Sequence, residues 1–315
     1  MDKLLLVTTI RHLELDSVVE EPFALMPGIE ICNSEALKSK IAGSEVAQYL
    51  GLIELDHLMK SQNVVCCEFR QDVFRDLDIE QSLLLILLWI KSLFRSAWIL
   101  FDHNFECDAA YLFQIEDDEV VKTTSNFLAQ HISRPDCTKT TKAVNVDELH
   151  QWERMEENVG TYLFEQDSDG FNFLLEKGYC RTGRALQFID IARASPNVGF
   201  KIAHYISALE ALFSTSSAEL AHKLSERVAF FLSMHGFDRL EVFKDIKAAY
   251  EVRSKLVHGS HLSKSKIEKT LEISSKCDSY LRTMMQLMFG EENLKSKIDV
   301  SSEQLDEYFD NMILG

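Results

Sequence analysis

From Asp147 to the C-terminus, apolar residues recur at helical spacing with scarcely a break. A chain of that kind can bury its stripes only by packing helix against helix. The spacing predicts helices over 147–165, 169–194, 198–214, 216–234, 237–258 and 263–289, with a short amphipathic one over 301–313. Ser195-Pro196-Asn197 interrupts the run, and Pro196 suits the first turn of the helix that follows. Short links between long helices imply antiparallel neighbours in a bundle.

The chain before this run reads differently. Residues 3–15 resemble a strand, Met26-Pro27-Gly28 a turn, 35–60 a helical stretch and 63–69 a β-branched strand. Residues 79–101 carry an apolar pattern without Gly or Pro, expected to be a buried helix. Two alternating runs, 109–116 and 119–124, flank the acidic turn at Glu116-Asp117-Asp118. Residues 134–145, with Pro135 and a cluster of threonines, are the expected linker. The fold class is therefore α+β, with a mixed α/β domain over 1–145 and an all-α antiparallel bundle over 146–315. A chain of 315 residues is long enough for two cores.

Composition narrows the classes. The chain is 46% hydrophobic and 26% charged, with 4 Pro and 12 Gly, which is globular rather than disordered. Its seven cysteines form no C-x-x-C pair and read as reduced thiols, the expectation for a cytoplasmic protein. The most apolar stretch, 83–90, is closed by Lys91, whereas a membrane span needs roughly twenty residues. The N-terminal apolar run is interrupted by Arg11 and His12 and lacks a small-residue cleavage site, so no secretory signal is expected. The net charge of −17 is unevenly spread. Residues 170–290 hold 17 Lys and Arg against 12 Asp and Glu, while the remainder holds 16 against 38. That asymmetry permits an anionic ligand on the helical half and argues against a broad non-specific RNA-binding surface.

One helix carries an oddity. Rotating 237–258 by about 100° per residue places Val242, Phe243, Ile246, Ala249, Tyr250, Leu256 and Val257 within an arc of roughly 140°. Arg253 falls near the middle of that arc, where a charge needs a partner. His258 lies about 140° further round, and Gly259 reads as the residue that stops the helix. The unpaired carbonyls of the last turn favour positive charge on His258. An imidazole near a fixed guanidinium is useful where a phosphodiester is cleaved. Arg227 lies within the stripe of Leu220, Leu224, Val228 and Phe231, and Glu210 flanks that of Ile206, Leu209 and Phe213. A buried ion pair between Glu210 and Arg227 is the expectation for those two, with Glu210 also open as a partner for Arg253. For Arg253 and His258, a packing or interface contact is the alternative to chemistry.

The runs YISALEALF (205–213), LSERVAFFL (224–232) and AAYEVRSKLVHGS (248–260) resemble the Apea-like branch of the HEPN superfamily. The resemblance covers roughly 170–290 and rests on three blocks in order. It implies an antiparallel helical bundle that dimerises and a metal-independent endoribonuclease site with an Arg-x4-6-His motif at the dimer interface. The ribose 2′-OH would attack the adjacent phosphate and leave a 2′,3′-cyclic phosphate. Carried over by position, Arg253 would stabilise the phosphorane-like transition state and His258 would transfer protons. Ser254 stands where active members often carry Asn, Asp or His, and it can hydrogen-bond but cannot act as a base at neutral pH. With Ser254, Glu210 and Arg227 as supporting residues, the expected site needs no cofactor and no metal. The implied partners are RNA as substrate and a second copy of the chain, and the implied setting is RNA-targeting defence or a toxin-like system. A catalytically silent HEPN module that binds RNA, a nucleotide or a partner protein is the other reading, and a purely structural helical adaptor a third.

Other groupings read as ordinary surface. His258 and His261 have no third ligand at helical spacing to make a metal site. Glu54, Asp56 and His57 are expected on a solvated helix face, and Asp306, Glu307 and Asp310 on the polar face of the last helix. Glu116–Glu119 lacks the ligand spacing of a calcium loop. The chain contains no phosphate-binding glycine loop of either common type.

Overall fold

Strand β1 (Lys3–Thr8) buries residues on both of its faces, which suits the middle of a sheet covered on two sides. In the computed structural model, residues 3–74, 76–128, 131–166, 180–216, 220–259, 263–290 and 293–314 are described. The chain forms two compact units: residues 1–130 with 139–157, and residues 131–138 with 158–315.

In the first unit β1 is followed by two short strands, β2 (Ile10–Arg11) and β3 (Leu13–Leu15). The single strand expected over 3–15 is thus broken, and His12, at φ +64°, marks one of the breaks. Strands β4 (Phe23–Met26) and β5 (Ile29–Cys32) form a hairpin closed by Pro27 and by Gly28 at φ +82°. The helical stretch expected over 35–60 is three helices, α1 (Glu35–Ala42), α2 (Val46–Leu50) and α3 (Leu52–Lys60). They are divided at Gly43–Glu45 and at Gly51, whose φ of +84° no continuous helix tolerates. Strand β6 (Val64–Arg70) and the 22-residue helix α4 (Ile79–Leu100) follow. The next strands are β7 (Glu106–Cys107), β8 (Ala110–Glu116) and β9 (Glu119–Asn126). Asp117 and Asp118 turn between the last two, both at positive φ as a tight two-residue hairpin requires. The main sheet has the order β4-β5-β6-β1-β8-β9, each pair antiparallel.

Alternation sorts the sheet's side chains. Val7, Val64, Phe113 and Ile115 pack against Ile41, Val46, Leu50 and Leu58 of α1–α3. Phe69, Phe74 and Trp89 of α4 form a ring cluster. By length and composition α4 alone among the described helices could cross a bilayer, yet 56% of its most apolar window is buried within the protein. A capping box at Asp78 and Gln81 starts it. The expected linker is ordered: β10 (Lys142–Val144) pairs in parallel with β3, and the next helix, α5 (Val146–Gln166), starts directly after it. Trp152 on α5 donates its indole N–H to the Leu93 carbonyl at 2.8 Å.

The described helices of the second unit are α6 (Arg181–Ala194), α7 (Val198–Phe213), α8 (Leu220–Ser233), α9 (Arg239–Val257), α10 (Lys264–Glu268), α11 (Thr270–Phe289), α12 (Lys295–Ile298) and α13 (Ser302–Leu314). Of the helices expected over 169–194 and 216–234, residues 169–179 and 217–219 lie outside the described residues, as does His261. The helix expected over 263–289 is the pair α10 and α11. Helix α7 is the centre: it packs against α6, α8, α9 and α11, and its Ile202, Tyr205, Ile206, Leu209, Leu212 and Phe213 are fully buried. Lys201 is also fully buried, its ammonium donating to the carbonyls of Ser133, Ala192 and Arg193 at 3.1–3.2 Å. Three donors meet three acceptors, which is what allows a lysine there.

Candidate functional site

Helix α9 begins at Asp238, whose carboxylate accepts the Glu241 N–H at 2.7 Å. Its buried line is Val242, Ile246, Ala249 and Val252, facing α7 and α8. Val252 lies outside the arc drawn from the sequence, and Leu256 and Val257, drawn inside it, are exposed. Leu256 still lies against Gly199 at the start of α7 while part of it faces solvent, and Val257 points away from the bundle.

Arg253 is half-buried beside this line. Its guanidinium lies 3.5 Å from Glu210 Oε2 on α7, an ion pair longer than a charge-assisted hydrogen bond. The ring of Tyr250, one turn earlier, sits 5.5 Å from the Arg253 guanidinium carbon. Burial pushes the Glu210 carboxyl up from the usual carboxylate range, and Arg253 opposes that shift. Glu210 Oε1 is buried with no hydrogen-bond partner, so Arg253 answers only half of the carboxylate.

His258 is the C-cap residue, and its N–H donates to the Ser254 carbonyl at 3.0 Å. Gly259 follows at φ +67°, the left-handed conformation that ends helices at glycine. The imidazole is exposed and has no hydrogen-bond or ion-pair partner among the described residues. Ser254 is half-buried and contributes the carbonyl that closes the last turn. Within one chain, Arg253 and His258 are separated by about 7.5 Å of helix rise and point about 140° apart.

Arg227 is placed elsewhere, and the expected Glu210–Arg227 pair does not form. The Arg227 guanidinium donates to the Phe213 carbonyl at 2.7 Å and to Thr215 Oγ1 at 3.2 Å, pairs with Asp306 on α13 and stacks over Phe309. The helical stripe correctly marks Arg227 as buried, but α13 and the end of α7 lie opposite it. Burial works against ionisation of Asp306, yet hydrogen bonds from Thr215 and Arg227 prevail and hold its carboxyl below the usual range. Asp306, expected on a solvated face, is thus the partner that the sequence reading missed. Its i−4 and i+3 neighbours Ser302 and Phe309 also touch the bundle, through Arg181 and Phe213.

The candidate site comprises a half-buried arginine held by a carboxylate and an imidazole, unpartnered among the described residues, at the exposed end of the same helix. Compared with models of protein families, with curated proteins and with solved structures, the chain finds no match.

Proposed function

We propose that the chain is a metal-independent endoribonuclease of HEPN type, acting in the cytoplasm as a homodimer in a defence or toxin-like setting. The observation that carries this reading is the placement of the three sequence blocks. Their described residues fall on α7, α8 and the end of α9, and the packing of α7 against α9 sets Glu210 beside Arg253, while α9 ends on a His258 that is unpartnered among the described residues. Two copies related by a two-fold axis would bring two arginines and two histidines to one seam, which supplies what the 140° separation denies a single chain. In the reaction the 2′-oxygen bonds to phosphorus as the bond to the 5′-oxygen breaks. One His258 takes the proton from the 2′-OH, the His258 of the second copy gives one to the leaving 5′-oxygen, and Arg253 neutralises charge on the non-bridging oxygens. Incubation of the purified protein with mixed RNA in EDTA tests this. Fragments ending in 2′,3′-cyclic phosphate support it, and intact RNA contradicts it.

The ion pair itself favours a second reading. A guanidinium already facing Glu210 is partly neutralised, which suits a silent module that binds RNA, a nucleotide or a protein without cleaving. Equal RNA binding by wild type and His258→Ala, with no cleavage by either, is the result that selects it.

A further inference from the structure

A second cluster of ionisable side chains lies in the first unit, at the mouth of a cleft of about 230 Å³ between α3 and the adjoining ends of β1 and β8. Its centre is Asp108, a buried carboxylate that follows β7. Thr9 Oγ1 donates to Asp108 Oδ2 at 2.6 Å, His57 Nε2 lies 3.0 Å from the same oxygen, and Arg11 Nε pairs with Oδ1. His57, which the sequence places on a solvated face, is thus fixed at one ring nitrogen, with the rest of its ring still open to solvent.

The layering of charge sets what the cleft can take. The Asp108 side chain is 8% exposed, whereas those of Arg11 and His57 are 59% and 55% exposed. The acid lies underneath and orients the two basic groups that face outward. Arg11 engages Asp108 through Nε, which leaves the two terminal nitrogens of the fork as donors. The backbone beneath them is fixed as well. Buried Asn63 accepts the Ile10 N–H and donates to the carbonyls of Ile10 and Leu13, all within 2.9 Å. Apolar side chains of Val7, Leu50 and Leu58 form the wall beside these donors. The volume is small against the roughly 300–1,000 Å³ of drug-sized ligand sites, so it suits a single ring or a short branched chain.

We propose that this cleft binds a small organic anion, a carboxylate or a phosphate monoester, with its charged head on Arg11 and His57 and a compact apolar body on Val7, Leu50 and Leu58. A guanidinium fork beside an imidazolium, which gives one N–H to Asp108 and offers the other to the ligand, matches either head group, and an apolar wall next to it rewards a hydrocarbon body over an inorganic ion. Glu54, one turn before His57 on α3, also lines the cleft and disfavours a second negative charge at that end.

Calorimetric titration of the full-length protein tests the site with three probes of one shape: benzoate, phenyl phosphate and neutral benzamide. At least one anion is expected to bind with Kd near or below about 1 mM, and benzamide at least about tenfold more weakly. The two anions separate a carboxylate site from a phosphate site. His57→Gln and Arg11→Gln should each weaken the preferred anion about tenfold or more. Ile53→Asp provides a variant on an exposed residue that lines the cleft without touching Asp108, and it should weaken the same anion with the melting temperature unchanged. Benzamide binding as tightly as benzoate, full affinity in His57→Gln, or no binding of either anion up to about 10 mM would overturn the proposal.

Discussion

Arg253 and Glu210 illustrate how little a lone ion pair settles about a residue's role. Because burial raises the Glu210 carboxyl, the contribution of this group to stability is full below the ordinary carboxylate range. It is lost as pH rises through the folded value. Glu210→Gln should remove that decline, giving a melting temperature that changes less as pH rises above the ordinary carboxylate range, with no loss at neutral pH. A fall of several degrees at neutral pH would show instead that the ion pair stabilises the fold. Arg227 and Asp306 differ, because Arg227 is nearly sealed from solvent and has few other acceptors. Asp306→Ala leaves that charge to the Phe213 carbonyl, Thr215 and the Phe309 ring, and because the Asp306 side chain is 42% exposed, chemical denaturation should report a loss of about 1–2 kcal/mol. The sequence made Arg253, Arg227 and Glu210 conspicuous because charge on an apolar stripe is rare. It offered Glu210 to either arginine and could not show which helix stands opposite each; the packing pairs Glu210 with Arg253 and gives Arg227 to Asp306.

Helices α4, α5, α7 and α9 lie within a residue or two of their expected bounds, because long runs with one period and clear caps leave few alternatives. Shorter elements depend on contacts distant in sequence. Strand β10 exists because β3 offers a parallel edge, and the break at His12 depends on Asn63, 51 residues onward. The hairpin of β4 and β5 shows what a legible turn still conceals. A Cβ on Gly28 would lie 2.4 Å from Phe69 Cε1, and its φ of +82° already disfavours any other residue. Gly28→Ala should therefore cost about 2 kcal/mol by denaturant melting. At Gly259, also left-handed but with open space around it, the same change should cost about 1 kcal/mol.

Over the whole chain, the expected boundary near 145 fell where composition changes, whereas the compact units follow contacts. Residues 131–138 belong with the helices: the Ser133 N–H donates to the Arg193 carbonyl, and Ser274 Oγ donates to the Pro135 carbonyl at 2.7 Å. A fragment of residues 147–315 loses both contacts and should melt several degrees below one of residues 131–315. Equal melting would show that the segment is dispensable. The proposed two-fold site also requires an isologous dimer, so light scattering at tens of micromolar should give twice the chain mass of 36.1 kDa. The proposed proton transfer by His258 during RNA cleavage is put to the test by His258→Ala. The side chain is exposed at a helix end, so helicity and melting temperature should match wild type. RNA cleavage in EDTA should fall by at least about a hundredfold. An alanine variant that cleaves as fast as wild type would rule out that role for His258.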